Sequence, residues 1–220
     1  MRLLVKQAAA EAFQSVPWSL SRAAYTNVSF SVAAQGTSPA DIAFKTDGTK
    51  VYVLDNGGSV FQYSLSTAWN LSTASYDSVS FSVTSEDAAP TSLAFKSNGT
   101  KMYVVGSAND TVYQYSLSTA WNLSTASYDS VSFSVATEEL VPQALAFKSN
   151  GTKMYVMGSA EDKVFQYSLT AWDLSTASYD SVSFSVAGQD SGPTGLAFKS
   201  NGTRMYVVGD GSDTVYQYSL

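Results

Sequence analysis

The fold is decided by a repeated stretch whose clearest copy is Leu93–Leu117, LAFKSNGTKMYVVGSANDTVYQYSL. It contains three short runs rich in Tyr, Val and Phe, and an Asn-Gly pair separates the first two runs, as in a β-hairpin. Near copies begin at Ile42, Leu145 and Leu196, so the unit recurs at intervals of 51 or 52 residues. This regular period predicts similar structural units placed side by side.

Each unit contains four candidate strands, which we call A to D. In the second unit they are Thr91–Lys96, Lys101–Gly106, Thr111–Leu117 and Ser130–Val135. Strand B is apolar without alternation, which indicates burial on both faces, whereas strand D alternates Ser with Val or Phe, which indicates one exposed face. Sheets with buried inner strands and half-exposed outer strands are typical of β-propeller blades.

The two ends of the chain carry complementary parts of one repeat unit. The last unit, residues 195–220, supplies strands A to C, and residues 27–32 form a strand D without its own blade. We therefore predict an all-β, four-bladed β-propeller over residues 15–220, closed by pairing of the N-terminal strand with the C-terminal blade. Alternatively, two chains exchange these strands and form an eight-bladed ring. Residues 1–14 are predicted to be an N-terminal arm or short helix.

The composition excludes several kinds of site. The chain has no His and no Cys, which removes Ser-His-Asp triads, His-zinc sites and thiolate chemistry. No apolar stretch approaches the roughly 20 residues of a membrane helix, and the apolar run near Met1 is too short for a signal peptide. Nucleic-acid binding is not expected, because the positive charges are sparse and the net charge is −6.

The copies differ mainly in their D–A and B–C loops, which lie at the same end of an up-and-down sheet. Apart from Lys163, the charged residues of these loops are acidic. We predict that they form a binding face, with the following residues: Asp41, Asp55, Glu86, Asp87, Asp110, Glu138, Glu139, Glu161, Asp162, Asp190, Asp210 and Asp213. Lys and Arg residues predominate at the opposite end of the blades. Binding of a hard cation such as Ca²⁺ is an alternative for the acids, but no complete calcium-loop motif is present, so we predict no metal site.

Four tryptophans recur at equivalent positions between strands C and D: Trp18, Trp69, Trp121 and Trp172. We interpret them as structural residues that pack this connection against the sheet, with sugar binding as the alternative.

Three motifs make the unit resemble the YVTN-type repeats of lactonase-like and surface-layer β-propellers. The prolines at the entry to strand A are Pro39, Pro90, Pro142 and Pro193. The turns are Asp47-Gly48, Asn98-Gly99, Asn150-Gly151 and Asn201-Gly202. The Tyr-Val pairs of strand B are Tyr52-Val53, Tyr103-Val104, Tyr155-Val156 and Tyr206-Val207. The connection holding the Trp also resembles repeats of phage virion and bacterial surface proteins.

The resemblance implies a propeller, and its enzymatic members rely on His and acidic clusters, whereas this chain has no His. We therefore predict a non-enzymatic binding module without a cofactor. Its expected setting is a virion or the cell surface, and its expected partner a protein scaffold or a surface glycan, with assembly into homo-oligomers or arrays. The alternative function is a lactonase-like hydrolase with carboxylate-bound Ca²⁺ in the central channel.

Overall fold

Fifteen β-strands in four antiparallel sheets make up residues 25–220, the part of the chain that the computed structural model describes. The predicted arm over residues 1–14, and Trp18, lie outside this range. Each of the first three sheets has four strands in sequential order, and the fourth has three. The prediction of an all-β protein built as a four-bladed β-propeller is confirmed.

The strands occupy matching positions in the successive blades. The innermost strands are β1 (Pro39–Phe44), β5 (Pro90–Phe95), β9 (Pro142–Phe147) and β13 (Pro193–Phe198). The second strands are β2 (Lys50–Asp55), β6 (Lys101–Gly106), β10 (Lys153–Gly158) and β14 (Arg204–Gly209). The third strands are β3 (Ser59–Leu65), β7 (Thr111–Leu117), β11 (Lys163–Thr170) and β15 (Thr214–Ser219). The outer strands are β4 (Ala74–Ser82), β8 (Ala126–Ser134) and β12 (Asp173–Ser185). Short 3₁₀ turns at Leu71–Thr73 and Leu123–Thr125 precede β4 and β8.

The hairpin between the first two strands of a blade forms because its residues tolerate the required backbone angles. Gly99 has a φ of 72°, in the left-handed region that favours glycine. The Asn98 side-chain oxygen accepts hydrogen bonds from the backbone N–H of Thr100, at 3.2 Å, and from its hydroxyl, at 2.8 Å. The same turn recurs in the other blades, which fixes the register of each hairpin.

Burial follows the sequence pattern. Strand β6 is buried from Met102 to Gly106, whereas β8 alternates between partly buried and exposed residues. The apolar side chains form one core between the first and second blades, one between the second and third, and one between the third and fourth. Within residues 25–220, no helix is long and apolar enough to span a membrane.

The predicted seam between the two ends of the propeller is not formed. Residues 27–32 adopt no strand, and among the strands of residues 25–220 β15 pairs with β14 alone. Phe30 packs edge-on against Tyr63 in the first blade, with ring centroids 5.4 Å apart, as the outer-strand residue Phe81 packs against Tyr115 of the next blade. Among the residues described, no apolar core joins the fourth blade to the first. The predicted pairing of residues 27–32 with β15 is therefore not observed among residues 25–220, although the four blades form the predicted propeller.

Candidate active site in the central channel

The innermost strands line a cavity of about 200 Å³, which we call the central channel. Each blade contributes three consecutive residues, which begin directly after the proline at the start of its innermost strand. The polar side chains that line the cavity are Asp41, Thr91, Ser92, Gln143 and Thr194.

Asp41 and Ser92 form the most closely bonded pair in this channel. The Ser92 hydroxyl donates a 2.6 Å hydrogen bond to Asp41 Oδ2, and the backbone N–H of Leu93 donates a second to the same oxygen, at 2.8 Å. Ser92 Oγ in turn accepts a 3.1 Å hydrogen bond from the N–H of Leu145. Innermost strands have a free edge, so these backbone N–H groups are available to a side chain of the preceding blade. The pair therefore links the first three blades around the axis.

The channel alters the proton affinity of Asp41. Burial raises the pKa of its carboxyl group above the usual value, because the charged form loses hydration. Hydrogen bonds from Ser92, Leu93 and Ile42 oppose this effect by stabilising the charged form. A carboxylate whose pKa is raised by burial and which three donors hold in a fixed position can serve as a proton acceptor.

The residues present do not fit a calcium ion. Within residues 25–220, no group of three or more acidic, His or Cys side chains is placed to hold a metal. Asp41 is the one carboxylate that lines the cavity, whereas Ca²⁺ takes about six to eight oxygen ligands.

Several acids of the predicted binding face hold the loops in place. Asp87, Glu139 and Asp190 are nearly inaccessible to solvent, and Asp55 is also buried. The Asp87 carboxylate accepts hydrogen bonds from the backbone N–H groups of Ala89, at 2.8 Å, and Asn109, at 3.1 Å. Glu139, Asp190 and Asp55 bind backbone N–H groups of their own loops in the same way. These carboxylates replace the regular backbone pairing that the loops lack.

The remaining predicted acids are not brought together. Glu86 and Glu138 accept hydrogen bonds from the hydroxyl groups of Tyr115 and Tyr167. Three more share a positive φ in the B–C loops: Asp110, Asp162 and Asp213. Glu161 forms an ion pair with Lys163 at 2.9 Å, and Asp210 lies close to Gly192. Of the predicted acids, Asp41 is the one that lines the channel.

The three described tryptophans differ in how far neighbouring blades cover them. Trp121 and Trp172 are 8% exposed and stack near Phe95 and Phe147. Trp69 stacks on Phe44 in the same way but is 60% exposed, because no preceding blade covers it among the described residues.

The sequence reasoning missed the uncharged polar residues of the channel, Thr91, Ser92, Gln143 and Thr194. A signal was present, because these residues stand one or two positions after the repeated proline, where the copies differ.

Comparison with known proteins identifies the family. The family described as "Lactonase, 7-bladed beta-propeller" matches residues 31–220. The chain belongs to this family. A search of curated proteins finds no match.

Solved structures share the fold at low sequence identity. A protein of unknown function from Desulfotomaculum acetoxidans is 14% identical, with a TM-score of 0.59, and the match covers 83% of this chain and 55% of that one. A candidate 6-phosphogluconolactonase from Bacteroides uniformis is 16% identical, with a TM-score of 0.53 and coverage of 83% and 53%. The periplasmic gluconolactonase of Pseudomonas aeruginosa is 15% identical, with a TM-score of 0.57 and coverage of 82% and 49%. This chain therefore spans about half the length of these similar proteins.

These findings correct the prediction of function. The prediction of a non-enzymatic binding module is wrong, because the matching family is a lactonase family and two of these three similar structures carry lactonase names. The absence of His excludes particular catalytic groups but leaves carboxylate chemistry available. The alternative, a lactonase-like hydrolase, agrees better with the comparisons.

Proposed function

We propose that this protein is a lactonase-like hydrolase, which opens a cyclic ester of a sugar acid in its central channel. The family match over residues 31–220 carries the proposal. The channel adds a chemical reason, since Asp41 and Ser92 form a hydrogen-bonded pair on its wall. The carboxylate is accessible to a small molecule because it lines the cavity rather than the core between blades.

Asp41 acts as the general base in this proposal. Its carboxylate accepts a proton from a water molecule as the water oxygen attacks the carbonyl carbon of the lactone. The ring C–O bond then breaks, and Asp41 returns the proton to the departing ring oxygen. One lactone and one water molecule thus give one hydroxy acid, and Asp41 regains its starting charge.

The other polar residues orient the reactants. Ser92 and the N–H of Leu93 hold one oxygen of Asp41, at 2.6 and 2.8 Å, so that the carboxylate stays in one position. Gln143 and Thr194 line the same cavity from the third and fourth blades and offer hydrogen-bond partners to sugar hydroxyl groups. A sugar lactone is the preferred substrate class, because the lining offers several uncharged donors and acceptors within a small volume.

The proposal is tested with glucono-δ-lactone and its 6-phosphate as separate substrates. Acid release by the purified chain is followed with a pH indicator, after subtraction of spontaneous hydrolysis. We expect turnover of at least one lactone and a loss of about 10²-fold or more in Asp41→Asn, because general-base catalysis contributes about that much. Asp213→Asn is the matched control, since that acid does not line the channel, and its rate should be unchanged.

Two results would contradict the proposal. One is the absence of turnover with both lactones above the spontaneous rate. The other is an Asp41→Asn variant that retains the wild-type rate, which would assign the Asp41–Ser92 pair to holding the blades together.

The predicted virion or cell-surface setting and the predicted scaffold or glycan partner stay predictions. A propeller of this kind on a surface would present its channel to lactones in the surroundings. Fractionation of the producing organism, followed by immunoblotting, is the direct measurement of where the protein resides.

A further inference from the structure

A groove of about 450 Å³ lies between the third and fourth blades. Its walls include Tyr155, Gln166, Phe198 and Gly202. In the two preceding interfaces, the equivalent place is filled by a tryptophan and a leucine from the connection between the third and outer strands. The filled interfaces show what the groove is built to hold.

Between the first and second blades, this place holds Trp121 and Leu123. The Tyr52 hydroxyl donates a 2.6 Å hydrogen bond to the backbone carbonyl of Trp121. The Trp121 ring lies with its centroid 5.4 Å from that of Phe95, and it packs so closely over Gly99 that a Cβ there would lie 2.3 Å from the ring.

The leucine of this segment is recognised through its backbone. The N–H of Leu123 donates a 2.9 Å hydrogen bond to the side-chain oxygen of Gln62. A tyrosine hydroxyl, a phenylalanine ring, a glycine and a glutamine thus recognise one Trp-x-Leu segment.

The same arrangement recurs between the second and third blades. Tyr103 donates to the carbonyl of Trp172 at 2.6 Å, and Leu174 N–H donates to the side-chain oxygen of Gln114 at 3.0 Å. The Phe147 ring centroid lies 5.3 Å from that of Trp172. Because the tyrosine, the phenylalanine, the glycine and the glutamine recur in both interfaces, these four residues define a binding site for a Trp-x-Leu segment.

The third interface has all four elements but no described segment in it. Tyr155, Gln166 and Phe198 occupy the equivalent positions. Gly202 has a left-handed φ of 73°, like Gly99 in the first interface. Among residues 25–220, however, no atom lies within 4 Å of the position that a Cβ on Gly202 would occupy. The groove therefore has the form of the filled sites without their Trp-x-Leu.

The sequence contains one Trp-x-Leu segment without a blade of its own, Trp18-Ser19-Leu20. Further along the chain, Asn27 has the backbone angle of an outer-strand bulge. Asn27 has a φ of 59°, which matches the 57° of Ser78 and Ser130 at the bulges of β4 and β8. In the part of the chain that the structure describes, residues 27–32 have no sheet partner and β15 has no outer strand beside it.

We propose that the groove binds Trp18–Leu20 of a second copy of this chain, while residues 27–32 of that copy pair with β15. By symmetry the first copy does the same, and two chains then close one eight-bladed ring. The proposal does not depend on the enzymatic activity.

A second copy is favoured because the described residues form packed cores between successive blades and none between the fourth blade and the first. Four blades close a ring only at about 90° per blade, whereas the rings of about seven or eight blades found in larger propellers need roughly half that angle. The match to each of three larger similar structures covers 82–83% of this chain and about half of the other chain, as expected if the four blades are arranged as half of a larger ring. Well-packed cores at three interfaces resist the large rotation that closure within one chain requires.

The two outer faces of the chain are complementary. On the last blade, Val208 and Val215 are 38% and 52% exposed, whereas their equivalents Val105 and Val112 are fully buried against the next blade. These exposed valines lie on the face where a further blade would pack.

The first blade offers the matching surface, with Trp69 at 60% exposure. The Tyr206 hydroxyl is buried without a hydrogen-bond partner among the described residues. Its equivalents Tyr52 and Tyr103 donate to the tryptophan carbonyl of the following blade. In the ring, Tyr206 would donate to Trp69 of the second copy.

Light scattering of the full chain is the first test, with an expected mass of twice 23.4 kDa. Trp18→Ala should weaken dimerisation by about tenfold or more, since a buried tryptophan is a typical interface hot spot. Ser21→Ala is the control, because its equivalent Ser124 is exposed and it should leave the mass unchanged. A wild-type chain that stays monomeric, or a dimer insensitive to Trp18→Ala, would overturn the proposal.

A cysteine pair provides a second test that does not depend on removing a core residue. By analogy with Thr111 and Ser134, which are directly opposite in β7 and β8, Thr214 and Ser31 should be opposite in the seam. The chain has no Cys, so Ser31→Cys combined with Thr214→Cys gives an unambiguous cross-link. A band of twice the chain mass on a non-reducing gel supports the proposal, whereas a cross-link within one chain, or none, contradicts it.

Discussion

The sharpest structural prediction concerns Tyr103, whose hydroxyl joins the second blade to the third. It donates a 2.6 Å hydrogen bond to the backbone carbonyl of Trp172, and both residues are buried. Burial raises the pKa of the Tyr103 hydroxyl well above its usual value, and the nearby charge of Asp129 adds to this shift. The hydroxyl therefore stays protonated and remains a donor over the whole working pH range.

Replacing Tyr103 by Phe removes the donor and keeps the ring. The Trp172 carbonyl then has no partner in a site that water cannot readily enter, since Trp172 is only 8% exposed. Leaving one buried polar group unsatisfied costs about 1–3 kcal/mol. For a domain of this size, each kcal/mol lowers the melting temperature by roughly 2–4 °C.

Urea unfolding followed by tryptophan fluorescence measures the change, at one fixed protein concentration so that any association is constant. Tyr128→Phe is the matched control, because this partly buried tyrosine makes no hydrogen bond through its hydroxyl within residues 25–220. We expect the control to change the free energy of unfolding by less than about 0.5 kcal/mol. Tyr52→Phe, which removes the equivalent bond to Trp121, should match Tyr103→Phe.

The reasoning is refuted if Tyr103→Phe is as stable as Tyr128→Phe with an unchanged dependence on urea. That result would mean that the contact between these blades depends on ring packing alone and that the hydroxyl adds nothing. A large loss in Tyr103→Phe but none in Tyr52→Phe would also contradict it, because the two bonds have the same length and burial.

Three further predictions concern residues outside the channel. Burial alone would raise the pKa of the Asp129 carboxyl group, but hydrogen bonds from Ser116, Gln114 and Lys101 outweigh it and lower this pKa. The charged Asp129 therefore stabilises the fold above about pH 4, and this stabilisation is lost as the pH falls through the lowered pKa of the folded state. Asp129→Asn should therefore make unfolding free energy less sensitive to acid, as measured by urea unfolding between pH 3 and pH 7. Gly99→Ala should destabilise the fold by more than the roughly 1 kcal/mol of its left-handed backbone, because the new Cβ would meet the Trp121 ring; thermal melting checks this. Asp87→Ala should cost about 3 kcal/mol, since several backbone N–H groups lose their acceptor, and it should speed amide hydrogen exchange in both adjoining loops.

The strands and their order could be predicted from sequence because local chemistry specifies them. The Asn98-Gly99 turn, the apolar β6 and the alternating β8 each carry a signal within a few residues. The strand boundaries therefore depend little on the rest of the molecule.

The open seam could not be predicted in this way. The angle between blades depends on how side chains such as Tyr103 and Trp172 fill the space between two sheets. Four nearly identical repeats are compatible with both a small and a large ring, because in either ring each set of strands A to C can pair with one strand D. Only coordinates distinguish the two arrangements.

The roles of the acids were also hidden in the sequence. Asp87 and Asp41 occupy variable acidic loops, but the first is almost inaccessible and holds backbone N–H groups, while the second lines the channel. The difference depends on which backbone groups converge on each carboxylate. That convergence follows from loop geometry rather than from residue type.

The channel shows where chemistry can arise in so regular a molecule. Two positions after each repeated proline stand Asp41, Ser92, Ala144 and Gly195, four different side chains at equivalent places around one axis. Identical residues there would give each blade the same contact with a bound molecule, which suits no asymmetric substrate such as a lactone. Because the carboxylate and the hydroxyl stand on neighbouring blades and the small residues on the other two, the substrate of the proposed reaction would have space on one side of the channel and a base on the other. The repeated residues build the blades, and the proposed reaction uses the few positions where the repeats differ.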